Sequence, residues 1–331
     1  MSSAGVEIID LASERIGGHI VGVNDEFFAP AVNLLKPGRG EFLEHEYTDR
    51  GKWMDGWETR RRREPGHDWC VLALGAPGRV RQVLVDTNHF RGNHPEACSL
   101  EAVHLGEDPA PDRLDDVRWT PLVPRSPLTG HSENRFRVNA EDPVTHLRLN
   151  IFPDGGVARL RVLGEVRPDW ERLAASPGPI DLVSVLHGGI PVAASDQFFS
   201  EPLNLIMPGR AAHMGDGWET RRRRGPGHDW VILQLGKRGI VRRVEVDTNH
   251  FKGNFPESAR LEGCLAANAR LSDFTDGTVA WKELLPRTKL SADHRHEFRD
   301  EVLDRGAMTH VRLSIFPDGG VSRLRVWGDI S

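Results

Sequence analysis

The sequence predicts an all-β protein made of two tandem jelly-roll β-sandwich domains. Three observations predict it. Nearly the whole chain repeats itself once, the clearest elements alternate apolar and polar residues with a period of two, and Gly/Pro turns separate them with no long helical period between. A doubly wound α/β fold is excluded because the helices it needs are missing.

The repeat comes first because it sets the domain count. Residues 55–63 (DGWETRRRR) return unchanged at 216–224, and 65–69 (PGHDW) at 226–230. Residues 86–90 (DTNHF) return at 247–251, 151–157 (IFPDGGV) at 315–321, and 159–162 (RLRV) at 323–326. Upstream, Phe27-Phe28 and Asn33-Leu34 match Phe198-Phe199 and Asn204-Leu205. The first jelly-roll repeat is therefore expected over 1–168, a linker over 169–187 and the second repeat over 188–331. The linker's middle suits one or two helical turns, its Pro/Gly end does not, and 180–187 lead into the second domain. The copies differ in one respect. Copy 1 has about ten extra residues between Gly40 and Trp53, among them Glu44, Tyr47, Asp49, Arg50 and Lys52.

The strands follow from alternation. Leu147, Leu149 and Ile151 share one face, and His146, Arg148 and Asn150 the other. Val311, Leu313 and Ile315 repeat the apolar face, while Leu160 and Val162 alternate with Arg159 and Arg161. Residues 69–74 and 83–85 are apolar runs of strand length. Pro65-Gly66, Pro77-Gly78 and residues 153–156 supply turns.

A chain of 331 residues suits two domains of roughly 150 residues, each able to bury its own core. The formal net charge of -5 offers no nucleic-acid surface, and Glu58 and Glu64 flank the local run Arg60–Arg63. The start, Met1 to Gly5, lacks a basic segment followed by an apolar one, and no apolar stretch reaches membrane-spanning length. Three cysteines without CxxC spacing argue against a disulfide framework or a thiolate zinc site. A reduced, cytoplasmic protein is expected, with no nucleic-acid or membrane partner and a homo-oligomeric assembly.

Four shared motifs carry polar chemistry. In residues 55–63 an arginine fork can hold a carboxylate through two parallel hydrogen bonds. The same arginines can equally form a solvated face, with Glu58 pairing one of them. In 65–69 a turn presents His67 beside Asp68, for proton transfer or simply for closing the turn. In 86–90 Asp86, Asn88 and His89 leave the end of an apolar run on a loop. Asp86 and His89 could ligate a divalent metal, but no third ligand stands at clear spacing, so no metal and no cofactor are expected. Residues 151–156 read as structural. No nucleophile elbow, phosphate loop or dinucleotide fingerprint occurs, so any chemistry is acid/base work on a bound small molecule.

The segments 27–30 (FFAP), 33–38 (NLLKPG), 47–60 (YTDRGKWMDGWETR), 66–69 (GHDW), 86–90 (DTNHF) and Gly92-Asn93, in this order, resemble the allantoicase family. The resemblance covers nearly the whole chain, duplication included. It implies two galactose-binding-like jelly rolls and a hydrolase acting on the carbon–nitrogen bond of a linear ureide. The reaction implied takes allantoate and water to ureidoglycolate and urea in purine (allantoin) breakdown. Chemical inference then assigns proton transfer to Glu58, His67, Asp86 and His89 and their twins Glu219, His228, Asp247 and His250. Substrate binding falls to Lys52, Arg60, Arg61, Asn88 and Asn93, and to Arg221, Arg222, Asn249 and Asn254. The competing readings are a non-catalytic small-ligand or carbohydrate-binding jelly roll, which would favour exposed stacking aromatics, and a hydrolase for another ureide.

Overall fold

A computed structural model describes residues 8–331, so the Met1 to Gly5 start read above lies outside the described residues. The described residues through Arg167 form one compact unit, and Pro168–Ser331 form another. Among the described residues no helix is long and apolar enough to cross a membrane.

The first unit contains β1 (Ile9–Asp10), β2 (His19–Val23), β3 (Tyr47–Thr48), β4 (Gly51–Lys52), β5 (Trp57–Glu58), β6 (Asp68–Asp86), β7 (Ala97–Val103), β8 (Thr120–Pro127), β9 (Glu133–Arg137), β10 (Val144–Phe152), β11 (Gly156–Val157) and β12 (Arg159–Val166). The main path is β1-β12-β6-β10-β7-β8, with β2 and β9 also paired to β6. Every pairing within it is antiparallel.

β6 makes the sandwich. Its 19 residues would span roughly 60 Å if straight. Instead its first part, up to Ala73, pairs with β2 and β10, and its last part, Val80 to Asp86, pairs with β12 and β9. The switch falls at Gly75 and Gly78, where a β-carbon on Gly75 would meet the Ile16 carbonyl at 2.4 Å. One strand thus belongs to both layers, and Leu72, Val83, Leu147, Leu149, Ile151, Leu160 and Val162 fill the space between. Each such side chain, fully buried, contributes about 1.5–3 kcal/mol.

The opposite face of β10 is polar but is not open to water. His146 and Asn150 are buried. Asn150 donates to Ser99 at 3.2 Å and Glu101 at 3.1 Å, His146 reaches Asp108 at 3.0 Å, and Arg148 lies over the Trp69 ring. Alternation identified the two faces; it could not show that loops cover the second one.

The second unit repeats the plan with α1 (Trp170–Ala175), β13 (Ile180–Asp181), β14 (Ile190–Ala194), β15 (Trp218–Glu219), β16 (Asp229–Asp247), β17 (Ser258–Cys264), α2 (Leu271–Thr275), β18 (Lys282–Lys289), β19 (Arg295–Phe298), β20 (Ala307–Phe316), β21 (Gly320–Val321) and β22 (Arg323–Ile330). Its sheet order is β13-β22-β16-β20-β17-β18. Residues 169–187 thus hold α1, capped by the Asp169 carboxylate, and also β13, which pairs with β22. The later part of that segment is the second unit's opening strand rather than a linker.

Candidate active site

The register of β6 brings the shared motifs to one end of each sandwich. Asp68, at the start of β6, lies opposite Ile151, and Asp86, at its end, lies opposite Arg159. A short loop joins Ile151 to Arg159, and its β11 pairs with β5. The arginine loop, the turn at 64–67, the loop after Asp86 and the loop at 153–158 therefore meet.

Much of what the motifs share is a packing knot. Phe90 is fully buried, and a β-carbon on Gly156 would come within 1.9 Å of its ring, so only glycine lets β11 approach. Gly320 and Phe251 repeat this at 1.9 Å. Arg159 donates to the Asp55 carboxylate at 2.6 Å and to the Asp55 carbonyl at 2.9 Å. Arg323 does the same to Asp216, at 2.9 Å to the carboxylate. Arg159, which alternation placed on a polar face, and its twin Arg323 are buried and ion-paired.

Around this knot a polar cleft opens. In the second unit it measures about 700 Å³ and is lined by Phe199, Glu219, Arg222, Asn254, Phe255, Lys289 and Asp318, among others. Glu219 accepts a hydrogen bond from the Asn254 amide. In the first unit Asn93 donates to Glu58 at 2.7 Å. Burial pushes the Glu58 carboxyl above its ordinary range, and the Asn93 hydrogen bond opposes this without cancelling it. A half-buried carboxyl whose protonated form burial favours, beside an amide, is suited to protonating a leaving nitrogen.

The arginine run divides by alternation. Arg60 is bound to Asp25 at 2.6 Å and Arg62 to buried Asp68 at 2.7 Å. Arg221 binds Asp196 at 2.9 Å, and Arg223 binds Asp229. Arg61 and Arg222 are exposed, and among the described residues neither has an ion-pair partner. Arg61 also borders a cavity of about 490 Å³ with Asn24, Asp25 and Glu64. Of the two arginines assigned to binding in each copy, one is already spent on an aspartate.

The remaining assigned residues go elsewhere. The His67 ring packs on Phe152 at 4.8 Å and the His228 ring on Phe316 at 4.6 Å, each Phe also covered by an arginine, Arg125 or Arg287. Burial, then the charges of Arg260, Arg312 and Arg223, hold the His228 imidazole below its ordinary range. Asp86 is buried and held by Arg39 at 3.0 and 3.2 Å and by the Asn88 N–H at 2.9 Å. Asn88 and the His89 Nε2 both donate to the Gly40 carbonyl, at 3.0 and 3.1 Å. Asp247, Asn249 and His250 anchor Arg210 and Ala211 in the same way, with Arg210 3.6 Å from Asp247. This loop fixes the start of the copy 1 insertion. Its strain is local: His89 and His250 adopt φ of 69° and 70°. Lys52 lies over Phe42, which stacks on His89, so it belongs to this anchor and not to the Glu58 pair. Among the described residues no three His, Cys, Asp or Glu side chains converge as metal ligands.

Two positions of the second unit's cleft escaped the sequence reading, Phe255 and Lys289, where the first unit has His94 and Pro127. The signal was available: the sequence runs Gly-Asn-His-Pro at 92–95 and Gly-Asn-Phe-Pro at 253–256, so His94 is the one titratable difference inside a matched loop.

Fold and site define a two-repeat β-sandwich protein with a polar, ligand-sized cleft built from the loop end of its repeat. The allantoicase repeat model matches residues 9–167 and 180–331. A probable allantoicase of Pseudomonas aeruginosa is 48% identical over 321 residues, covering 97% of this chain and 95% of that one. Probable allantoicase 1 of Burkholderia mallei is 45% identical over 322 residues, covering 97% and 94%. The crystal structure of allantoicase from Saccharomyces cerevisiae superposes with a TM-score of 0.79 at 35% identity, covering 97% of this chain and 93% of that one. The chain belongs to the allantoicase family.

Proposed function

We propose that the protein hydrolyses allantoate to ureidoglycolate and urea. The single observation that carries this is the match of both repeats to the allantoicase family, each repeat holding the same Glu–Asn pair. In this reading Arg61 or Arg222 holds the carboxylate, and Asn93 or Asn254 orients a ureido group. The central carbon–nitrogen bond breaks, the carboxyl of Glu58 delivers a proton to the departing urea nitrogen, and water supplies the new hydroxyl on that carbon. Cysteine takes no part: Cys70, Cys98 and Cys264 are buried, and burial pushes the thiols of Cys98 and Cys264 up to about 12 and about 11. Three buried, unpaired thiols also support a cytoplasmic setting. The exposed insertion residues Phe42, Leu43 and Tyr47 support self-association into a homo-oligomer.

A carbohydrate-binding reading finds one feature in its favour, since Phe198 and Phe199 are 64% and 60% exposed beside the cleft. The two rings meet edge to face at 85°, and Arg221 lies over Phe198, so they offer no open flat platform for a sugar. The purified chain incubated with allantoate should release urea and ureidoglycolate in equal amounts. Release of neither would sink the proposal.

A further inference from the structure

We propose that Asp318 in the second unit, and its twin Asp154 in the first, is the base of the reaction: its carboxylate takes a proton from the attacking water while Glu219 or Glu58 protonates the departing nitrogen. This rests on the hydrolase reading above and adds a second carboxylate to it, from a segment that the sequence marks only as a turn.

Three carboxylates line the second unit's cleft, Glu219, Glu257 and Asp318. Glu257 is already neutralised: Arg287 binds it at 3.1 Å, and the charge of Lys289 reaches it as well. Asp318 has no ion-pair partner among the described residues. Its Oδ2 accepts the Arg223 backbone N–H at 2.8 Å. Among the described residues its Oδ1 has no hydrogen-bond partner, and it is not sealed from solvent. A carboxylate tethered through one oxygen and open at the other can orient a water and accept its proton.

The backbone sets Asp318 against the Glu219–Asn254 pair. Gly320, two residues on, lies opposite Glu219 in the register and donates its N–H to the Asn254 carbonyl at 2.8 Å. Gly319 and Thr220 exchange hydrogen bonds of 3.1 Å in both directions, and a β-carbon on Gly319 would meet the Asn254 carbonyl at 2.6 Å. The first unit has the same ties. Gly156 lies opposite Glu58 and donates to the Asn93 carbonyl at 2.8 Å, Gly155 donates to Thr59 at 3.1 Å, and Asp154 Oδ2 accepts the Arg62 N–H at 2.8 Å. In each unit the glutamate and the aspartate therefore belong to two chains of one short ladder, joined through the same glycines.

Hydrolysis needs an acid and a base, and this pair supplies both. The water oxygen bonds to the central carbon as the carbon–nitrogen bond breaks. The water's proton goes to the aspartate, and the glutamic acid's proton goes to the urea nitrogen. Exchange with solvent returns both carboxyls to their starting states, so one water is consumed per turnover.

The test uses the full chain with allantoate as substrate. Urea release by the wild type is scored first: its absence overturns the hydrolase reading and this proposal with it, whereas the outcomes below bear on the aspartates alone. Wild-type kcat should rise with pH on the acid side, as the base loses its proton. A profile without that limb overturns the proposal whatever the variants do. Asp154→Asn combined with Asp318→Asn leaves an oxygen for each arginine N–H, so the loops keep their tether, and thermal unfolding checks the fold. The double variant should lower kcat on the order of 10²-fold or more and lose the acid-side limb. Glu257→Gln, at a cleft carboxylate already paired, should leave kcat within about twofold. Wild-type kcat in the double variant overturns the proposal. So does a lowered kcat that keeps the acid-side limb, the mark of a purely structural role. A loss in Glu257→Gln as large as that of the double variant overturns it too, by moving the base to Glu257.

Discussion

Arg159 Nη2 donates to Asp55 Oδ2 at 2.6 Å across 104 residues of sequence, with both side chains buried. The pair ties the arginine loop to β12. Burial alone would raise the Asp55 carboxyl, but the hydrogen bond from Arg159, the Glu41 N–H and the charges of Arg159 and Lys36 outweigh it and hold it below its ordinary range. A carboxyl depressed in the folded state contributes stability above its unfolded pKa and loses it as pH falls through the folded one. Arg159→Met should therefore cost about 3–5 kcal/mol near neutral pH, the range for breaking a buried pair. The cost should shrink only below the usual carboxylate range. Denaturant unfolding at a series of pH values measures both.

Arg61→Lys keeps the charge and loses the planar fork. Substrate binding should weaken by about 1–3 kcal/mol, read as a rise in KM with little change in kcat. Arg60→Lys is the control, because its guanidinium is engaged with Asp25 and lies over Phe27. If Arg60→Lys raises KM as much as Arg61→Lys, the alternation within the run is misread.

How far this was legible in the sequence depends on the kind of residue. Leu147, Leu149 and Ile151 announced the core because a strand repeats every two residues, and the duplication fixed where each sandwich recurs. Asp86 and His89 looked chemical because polar residues on a loop after a strand often are. Here their polarity is consumed internally by Arg39, the Asn88 N–H and the Gly40 carbonyl. Nothing local in the sequence shows that a carboxylate will meet an arginine 47 residues away. Arg60 and Arg61 are adjacent and chemically identical; only the position of Asp25 separates them.

Glu58 gives a pH prediction with a definite sign. Its carboxyl is raised by burial, so the protonated form persists to higher pH than in water. As a proton donor it is active below that pKa, and kcat should fall as pH rises through it. Glu58→Gln should remove this descending limb and lower kcat on the order of 10²-fold or more. A limb that persists in Glu58→Gln assigns the acid to another group.

The loops anchored by His89 and His250 give a matched pair. His89 Nε2 holds the Gly40 carbonyl at 3.1 Å, and its ring stacks on Phe42 of the insertion at 5.4 Å. From there the insertion runs to its β3–β4 hairpin, where Gly51 packs near Phe28 and Arg50 donates to the Phe27 carbonyl at 3.1 Å. Phe28 in turn donates its backbone N–H to the Glu58 carbonyl at 3.1 Å, so the hairpin braces the strand that presents Glu58. His250 holds only Ala211, at 2.9 Å, and the second unit has no hairpin to brace. His89→Ala should therefore lower kcat/KM by about tenfold, short of what a lost proton-transfer group costs, and His250→Ala by less. Both remove a side chain at positive φ, so their effects on stability should be alike, and thermal unfolding separates that shared cost from the kinetic one. A loss on the order of 10²-fold or more in His89→Ala, with folding intact, would return this histidine to the proton-transfer role that its sequence context suggests.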